Sequence, residues 1–189
     1  MSFDNNADEL GGANGGSDSP PITTYDLSPK QCELLLLIWG DNLSFEFGAD
    51  VYGAFFKTQP NLLNLFPEMK RRGGAVSGNP AFIKQIRAFT DSMTTCVKAC
   101  ESADELSKIA RDLGARHREY AERGMRPEHF DRIRTAMKSV MTKMMLRDQR
   151  LSPADRTTAV QGWISFTSFV VEEMKIGFMT DMEYVDDDD

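Results

Sequence analysis

Cysteine is scarce in this sequence, long apolar runs are missing, and the first 24 residues hold no Lys or Arg. Each shortage removes a class of protein. Three cysteines in 189 residues are few and odd in number, which argues against a disulfide framework and for a reducing cytosol. The longest purely apolar run, Leu34 to Trp39, is far too short to span a bilayer. The N-terminus has neither the basic residue nor the apolar stretch of a secretory signal. Residue 2 is Ser, not the Gly that myristoylation requires. These signs predict a cytoplasmic protein without a transmembrane segment. Between residues 25 and 185 no segment alternates apolar and polar residues, and no Asn-Gly or Asp-Gly pair marks a hairpin, so β architectures are excluded.

The charge is unevenly spread. The net charge is −7, but Asp4, Asp8, Glu9 and Asp18 lie in the first 24 residues and Asp186 to Asp189 close the chain. With those eight acids set aside, the remainder carries +1. No basic stripe with interleaved aromatics is present, so a nucleic-acid surface is not expected. A hydrophobic content of 41% with 27% charged residues suits one buried core. The expected organisation is a disordered leader over 1–24, one domain over 25–185 and an acidic tail over 186–189.

Within that domain the periodicity is helical throughout. Ser28-Pro29-Lys30-Gln31 reads as a capped helix start, followed by Cys32, Leu35, Leu36 and Trp39 at helical spacing. A second helix is predicted over about Phe45 to Thr58, ending before Pro60. Asn61 to Phe66 reads as one tight helical turn, and Lys70 to Gly78 as a basic, Gly-rich loop. Asn79-Pro80 starts the next helix, with a stripe of Phe82, Ile86, Phe89, Met93, Val97 and Cys100. Ser102 to Glu105 reads as a capping box before Leu106, Ile109, Leu113 and His117. Pro127 marks a helix carrying Phe130, Ile133 and Met137, and Ser152-Pro153 starts the last one. The predicted class is all-α, with about six long helices and one or two short ones.

Two polar residues, Gln85 and His117, fall on or beside apolar stripes, and Tyr52 sits within an apolar helix. A buried polar group without a partner costs about 1–3 kcal/mol, so each must meet something polar. A backbone carbonyl or a water molecule would satisfy any one of them. Read together they suggest more. An imidazole facing an apolar slot is what a haem iron requires on one side, and hydrogen-bond donors on the other side stabilise a bound gas.

The chain resembles a globin of the invertebrate, neuroglobin-like kind over roughly residues 27–182. Leu27 to Trp39 resembles the first globin helix with its buried Trp. Phe55 to Pro67 resembles the run through the C helix, with Phe66 as the residue that wedges the haem. Asn79 to Gln85 resembles the start of the E helix, with Gln85 at the distal position where many globins have His. Leu113-Gly114-Ala115-Arg116-His117 resembles the proximal segment, and Pro127 to Phe130 the start of the G helix.

The resemblance implies the globin fold around haem b, with His117 as the iron ligand. It implies haem contacts from Phe66, Gln85, Phe89, Leu113, Met125, Phe130 and Ile133. Tyr52 and Gln85 match a distal pair similar to that of nematode haemoglobins with tight oxygen binding. The function implied is reversible dioxygen binding through ferrous iron, for storage or transport, and not an enzymatic activity. With Gln in place of a distal His, a five-coordinate deoxy iron is expected, unlike the bis-histidine neuroglobins. The alternative is a redox or gas-sensing globin, acting on nitric oxide or nitrite with a separate reductase, or signalling through partners. The stretch from His117 to Phe130 is longer than in many globins, which leaves the propionate contacts of Lys70, Arg71, Arg72 and Arg118 as candidates only. Cys96 and Cys100, four residues apart, read as buried small hydrophobes in preference to a redox pair.

Overall fold

The computed structural model describes residues 25–40, 43–75 and 78–180. The expected leader and acidic tail lie outside the described residues. Among the described residues there are helices and no strand. In order they are α1 (Pro29–Trp39), α2 (Leu43–Thr58), a 3-10 segment (Pro60–Leu65), α3 (Pro67–Arg71), α4 (Pro80–Lys98), α5 (Ala103–His117), a second 3-10 segment (Arg118–Arg123), α6 (Glu128–Arg147) and α7 (Pro153–Met179). No described helix is long and apolar enough to cross a membrane.

Local chemistry sets the helix starts. Ser28 Oγ accepts from the Gln31 amide at 3.2 Å while Gln31 Oε1 accepts from the Ser28 amide at 2.9 Å, a complete capping box ahead of Pro29. Ser152 Oγ accepts from the Asp155 amide at 3.1 Å at the start of α7. The box expected at Ser102 forms by half. Ser102 Oγ accepts from the Glu105 amide at 3.3 Å, but the Ser102 amide is already bonded to the Ala99 carbonyl at 3.0 Å. Glu105 therefore has no free amide to reach back to.

The loop expected from Lys70 begins later than the sequence suggests. Pro67, with its fixed φ, opens α3, and Lys70 and Arg71 form its last turn. After α5 the chain runs on as the second 3-10 segment, and Gly124 stops it at φ 90°, a left-handed conformation that favours glycine. That segment is where the extra residues between His117 and Phe130 go.

The core is built on α7, which packs against α5, α6 and α1, while α2 packs against α6 and α4. Trp163, 1% exposed, stacks on Trp39 with ring centroids 6.0 Å apart and meets Phe47 edge-on at 5.6 Å. The Trp39 indole N–H donates to Thr94 Oγ1 at 2.9 Å, and that of Trp163 to the Met137 carbonyl at 3.3 Å, so neither polar edge is orphaned. All three cysteines are buried and free. Cys96 and Cys100 do not share the end of one helix, because α4 stops at Lys98. Cys100 meets Cys32 instead: the Cys32 thiol donates to the Cys100 carbonyl at 3.3 Å. Burial pushes the Cys96 and Cys100 thiols up to about 12, which keeps them protonated.

Asn79 ties the basic loop to the start of α4. It is 2% exposed; its Oδ1 accepts from the Ala81 amide at 3.0 Å, and its Nδ2 donates to the carbonyls of Met69 at 2.9 Å and Gly74 at 2.7 Å. Replacing Asn79 by Ala removes a cap and the side-chain donor to the Gly74 carbonyl, while the Met69 carbonyl still accepts from the Arg72 and Gly74 amides. Asn79→Ala is therefore expected to lower stability by about 2–4 kcal/mol, read from the urea midpoint. A loss below about 0.5 kcal/mol would mean that water replaces the side chain at no cost.

Candidate functional site

Two clusters of side chains gather the residues singled out above. The first lies between α2 and α4. These helices approach closely at Gly48, where an added Cβ would fall 2.7 Å from Thr90 Cγ2 and 2.9 Å from Ile86 Cγ2. Tyr52 sits one turn beyond Gly48, and Gln85 and Phe89 flank Ile86 on α4. The close approach lets the Gln85 amide Nε2 donate to the Tyr52 hydroxyl oxygen at 2.8 Å. Tyr52 is 6% exposed.

Aromatic rings wall this pair in. The Tyr52 ring meets Phe89 at 5.4 Å, Phe66 at 6.1 Å and Phe82 at 6.5 Å, all edge-on, and stacks on Phe56 at 5.7 Å. Phe66, placed between the first 3-10 segment and α3, also meets Phe56 edge-on at 5.4 Å. Burial raises the Tyr52 phenol to about 12, with the Gln85 bond opposing that rise and the nearby Tyr120 adding to it. At neutral pH the phenol therefore keeps its proton. Because its oxygen already accepts from Gln85, that proton is available to a further acceptor.

The second cluster surrounds the end of α5. His117 is the last residue of the helix, and its Nδ1–H donates to the Leu113 carbonyl one turn back at 2.7 Å. A carbonyl can only accept, so the bond assigns the proton to Nδ1 and leaves Nε2 with a free lone pair in the neutral ring. Burial lowers the His117 pKa below its ordinary value, with the Leu113 bond acting the other way, so the neutral form prevails at pH 7. The His117 ring meets Phe130 at 5.4 Å and Tyr120 at 6.0 Å. Leu113, Met125 and Phe130 are buried. Ile133, one turn beyond Phe130 on α6, is half-buried against the core.

The two clusters meet where the two 3-10 segments touch, and at Tyr120, which is near enough to Tyr52 to influence its ionisation. Tyr120 and Phe47 are not singled out in the sequence, and Phe82 is read there only as part of the apolar stripe of its helix, one turn before Gln85. Phe47 stacks behind Phe89 at 6.0 Å. Tyr120 offers no helical-period signal, because it sits in a 3-10 turn. Its ring lies under the Arg123 guanidinium at 5.1 Å. The basic candidates are all engaged elsewhere. Lys70 donates to Asn64 Oδ1 at 2.7 Å, Arg71 and Arg72 both pair with Glu68, and Arg118 donates to the Ala115 carbonyl at 3.2 Å. His129, the second of two histidines in the chain, accepts from the Arg126 amide at 3.1 Å at the start of α6.

The buried phenol links stability to alkaline pH. A phenol held near 12 in the folded chain ionises near 10 when unfolded, so the folded chain binds more protons in between and stability falls as pH rises from 10 to 12. Urea unfolding between pH 9 and 12 should show a shallower decline for Tyr52→Phe than for the natural chain. Equal slopes would mean that the phenol is exposed to water.

A family model described as Globin matches residues 49–159, a span that includes Tyr52, Phe66, Gln85 and His117. A solved structure described as a hexacoordinated heme protein from an anhydrobiotic tardigrade, determined at pH 4, shares the fold with a TM-score of 0.67 at 18% identity. It covers 82% of this chain and 96% of its own. The deoxy haemoglobin of Dasyatis akajei follows with a TM-score of 0.60 at 14% identity, over 80% of this chain and 98% of its own. Among curated protein sequences none matches at a significant level. The matched span, more than half of the chain, together with the order of the helices makes this chain a member of the globin family.

Proposed function

We propose that this globin binds haem b and binds dioxygen reversibly through the ferrous iron, for storage or transport. The observation that carries the proposal is the hydrogen bond from Gln85 to the Tyr52 hydroxyl at 2.8 Å. It fixes the phenol in an aromatic enclosure with its proton free to donate, an arrangement suited to a small polarised ligand and not to core packing alone.

The residues present fit the group. His117 offers a neutral imidazole with Nε2 free and Nδ1 anchored on Leu113, and such anchoring orients a metal-ligating ring and raises its basicity. Phe66, Phe89, Leu113, Met125, Phe130 and Ile133 supply apolar and aromatic walls that exclude water. When bound, ferrous haem supplies the coordination position that diatomic gases occupy.

On the distal side Gln85 holds Tyr52, and Tyr52 donates. Each hydrogen bond to a ligand that carries partial negative charge contributes about 1.5–3 kcal/mol, or roughly a tenfold to hundredfold slowing of its release. The same donors favour dioxygen over carbon monoxide, whose bound form is less polarised. The tardigrade protein is described as hexacoordinated. This chain has two histidines in all, and His129 is occupied at the α6 start, so no second imidazole is placed to close the distal side.

Stopped-flow displacement of dioxygen tests this directly. Tyr52→Phe is expected to speed release about tenfold or more, and Gln85→Leu to speed it by a smaller factor, since the phenol loses its anchor but not its proton. An unchanged rate in Tyr52→Phe would show that the hydroxyl does not face the ligand.

A further inference from the structure

The mechanism so far makes no use of Glu173, a carboxylate 5% exposed in the interior-facing stretch of α7. A carboxylate is rarely buried unless it is paired. Here both donors come from α5: Ser107 Oγ at 2.5 Å and Arg111 Nε at 2.6 Å, each to Oε2. The pair of helices joined this way is also the most extensively packed pair among the described residues.

The same two helices touch backbone to backbone. A Cβ added to Gly114 would fall 2.7 Å from the Met174 carbonyl carbon, with the carbonyl oxygen nearer still. A Cβ added to Gly177 would fall 2.7 Å from the Arg111 carbonyl carbon, again with the oxygen nearer. Ordinary contact begins near 3.4 Å, so neither position admits a side chain unless the helices move apart. The contact is reciprocal: each glycine opens the space that the other helix's backbone fills.

The location of this junction matters. It grips α5 at residues 107, 111 and 114, and Leu113 lies inside the gripped turn. The Leu113 carbonyl is the acceptor that orients His117. His117 itself is the final residue of α5, where helices fray, and a 3-10 turn follows it. A junction one turn earlier is what would keep the end of the helix from loosening.

We propose that Glu173, together with the Gly114 and Gly177 contact, is a positioning element for His117. Through the rigid turn Arg111–Gly114 it holds the Leu113 carbonyl, and with it the orientation and basicity of the imidazole. Glu173 touches neither the imidazole nor a bound group; it acts on His117 through α5. The inference rests on the reading of His117 as the iron ligand.

Two measurements on the full chain test it. In the haem-free protein, nuclear magnetic resonance reads the solvent exchange of the His117 Nδ1 proton, which the Leu113 bond protects. In the ferrous, gas-free haem protein, resonance Raman reads the iron–histidine stretching band. Glu173→Ala and Gly177→Ala are expected to speed the exchange about tenfold or more and to shift or broaden the band. Glu173→Gln, which keeps an acceptor for Ser107 and Arg111, should restore much of the natural exchange rate. Lys108→Ala, on the exposed side of α5, should change neither readout.

Where Gly177→Ala fails to fold, Ser107→Ala removes one donor without adding volume and is expected to give a smaller change in the same direction. Variants that lose stability while exchange and band stay as in the natural chain would overturn the proposal, because the junction would then be structural only. A natural chain with no iron–histidine band would refute His117 as the ligand, and the exchange measurement would still decide the positioning role.

Discussion

An imidazole can face an apolar slot with a free lone pair only when its other nitrogen is paired, and much of this structure depends on meeting that condition. The bond from His117 Nδ1 to the Leu113 carbonyl at 2.7 Å fixes the tautomer, and burial keeps the ring neutral. The same requirement governs the opposite cluster. Tyr52 is buried among phenylalanines, and its hydroxyl finds Gln85 as its partner. Each polar group is thus satisfied by one bond while keeping one function unspent: a lone pair at His117, a proton at Tyr52. Those two groups are what the proposed haem and gas site would use.

Geometry around these bonds comes from helix crossings that are unusually close. Gly48 lets α2 and α4 approach until Tyr52 reaches Gln85, and Gly114 with Gly177 lets α5 lie against α7. Tight interiors transmit displacement, so a methyl group added at either crossing would move the side chains one turn away. The long helix α7 serves both ends of this arrangement. Trp163 near its first half anchors α1 and α2 through Trp39 and Phe47, and Glu173 in its second half anchors α5.

Local chemistry was the most legible part in the sequence. Ser28-Pro29, Asn79-Pro80 and Ser152-Pro153 mark helix starts because capping is decided within three or four residues. Ser102 shows where that logic stops, since a neighbouring backbone carbonyl took the amide the box needed. The end of α3, Lys70 and Arg71, reads as loop in the sequence because five residues are too few for a periodic stripe and Pro67 is the main signal of this helix. In the candidate site, Gln85 and His117 stand out as polar residues on apolar stripes, Tyr52 sits within an apolar helix, and the resemblance orders them. Tyr120 does not stand out, because a 3-10 turn has a different period from a helix. Nothing in the adjacent pair Glu172-Glu173 tells which one is buried, and the contact of Cys32 with Cys100 spans 68 residues. Pairings of that kind are made by tertiary packing and leave no spacing to read.

The most direct test of the central claim is the absorption spectrum of the full chain loaded with haem, ferrous and free of gas, followed by exposure to oxygen. A single broad deoxy band giving way to a stable oxygenated spectrum is the predicted result, since the proposed ligand His117 would bind from one side and Tyr52 and Gln85 would leave the other side open. A sharp six-coordinate spectrum before any gas is admitted, or immediate conversion to ferric haem on exposure, would contradict it.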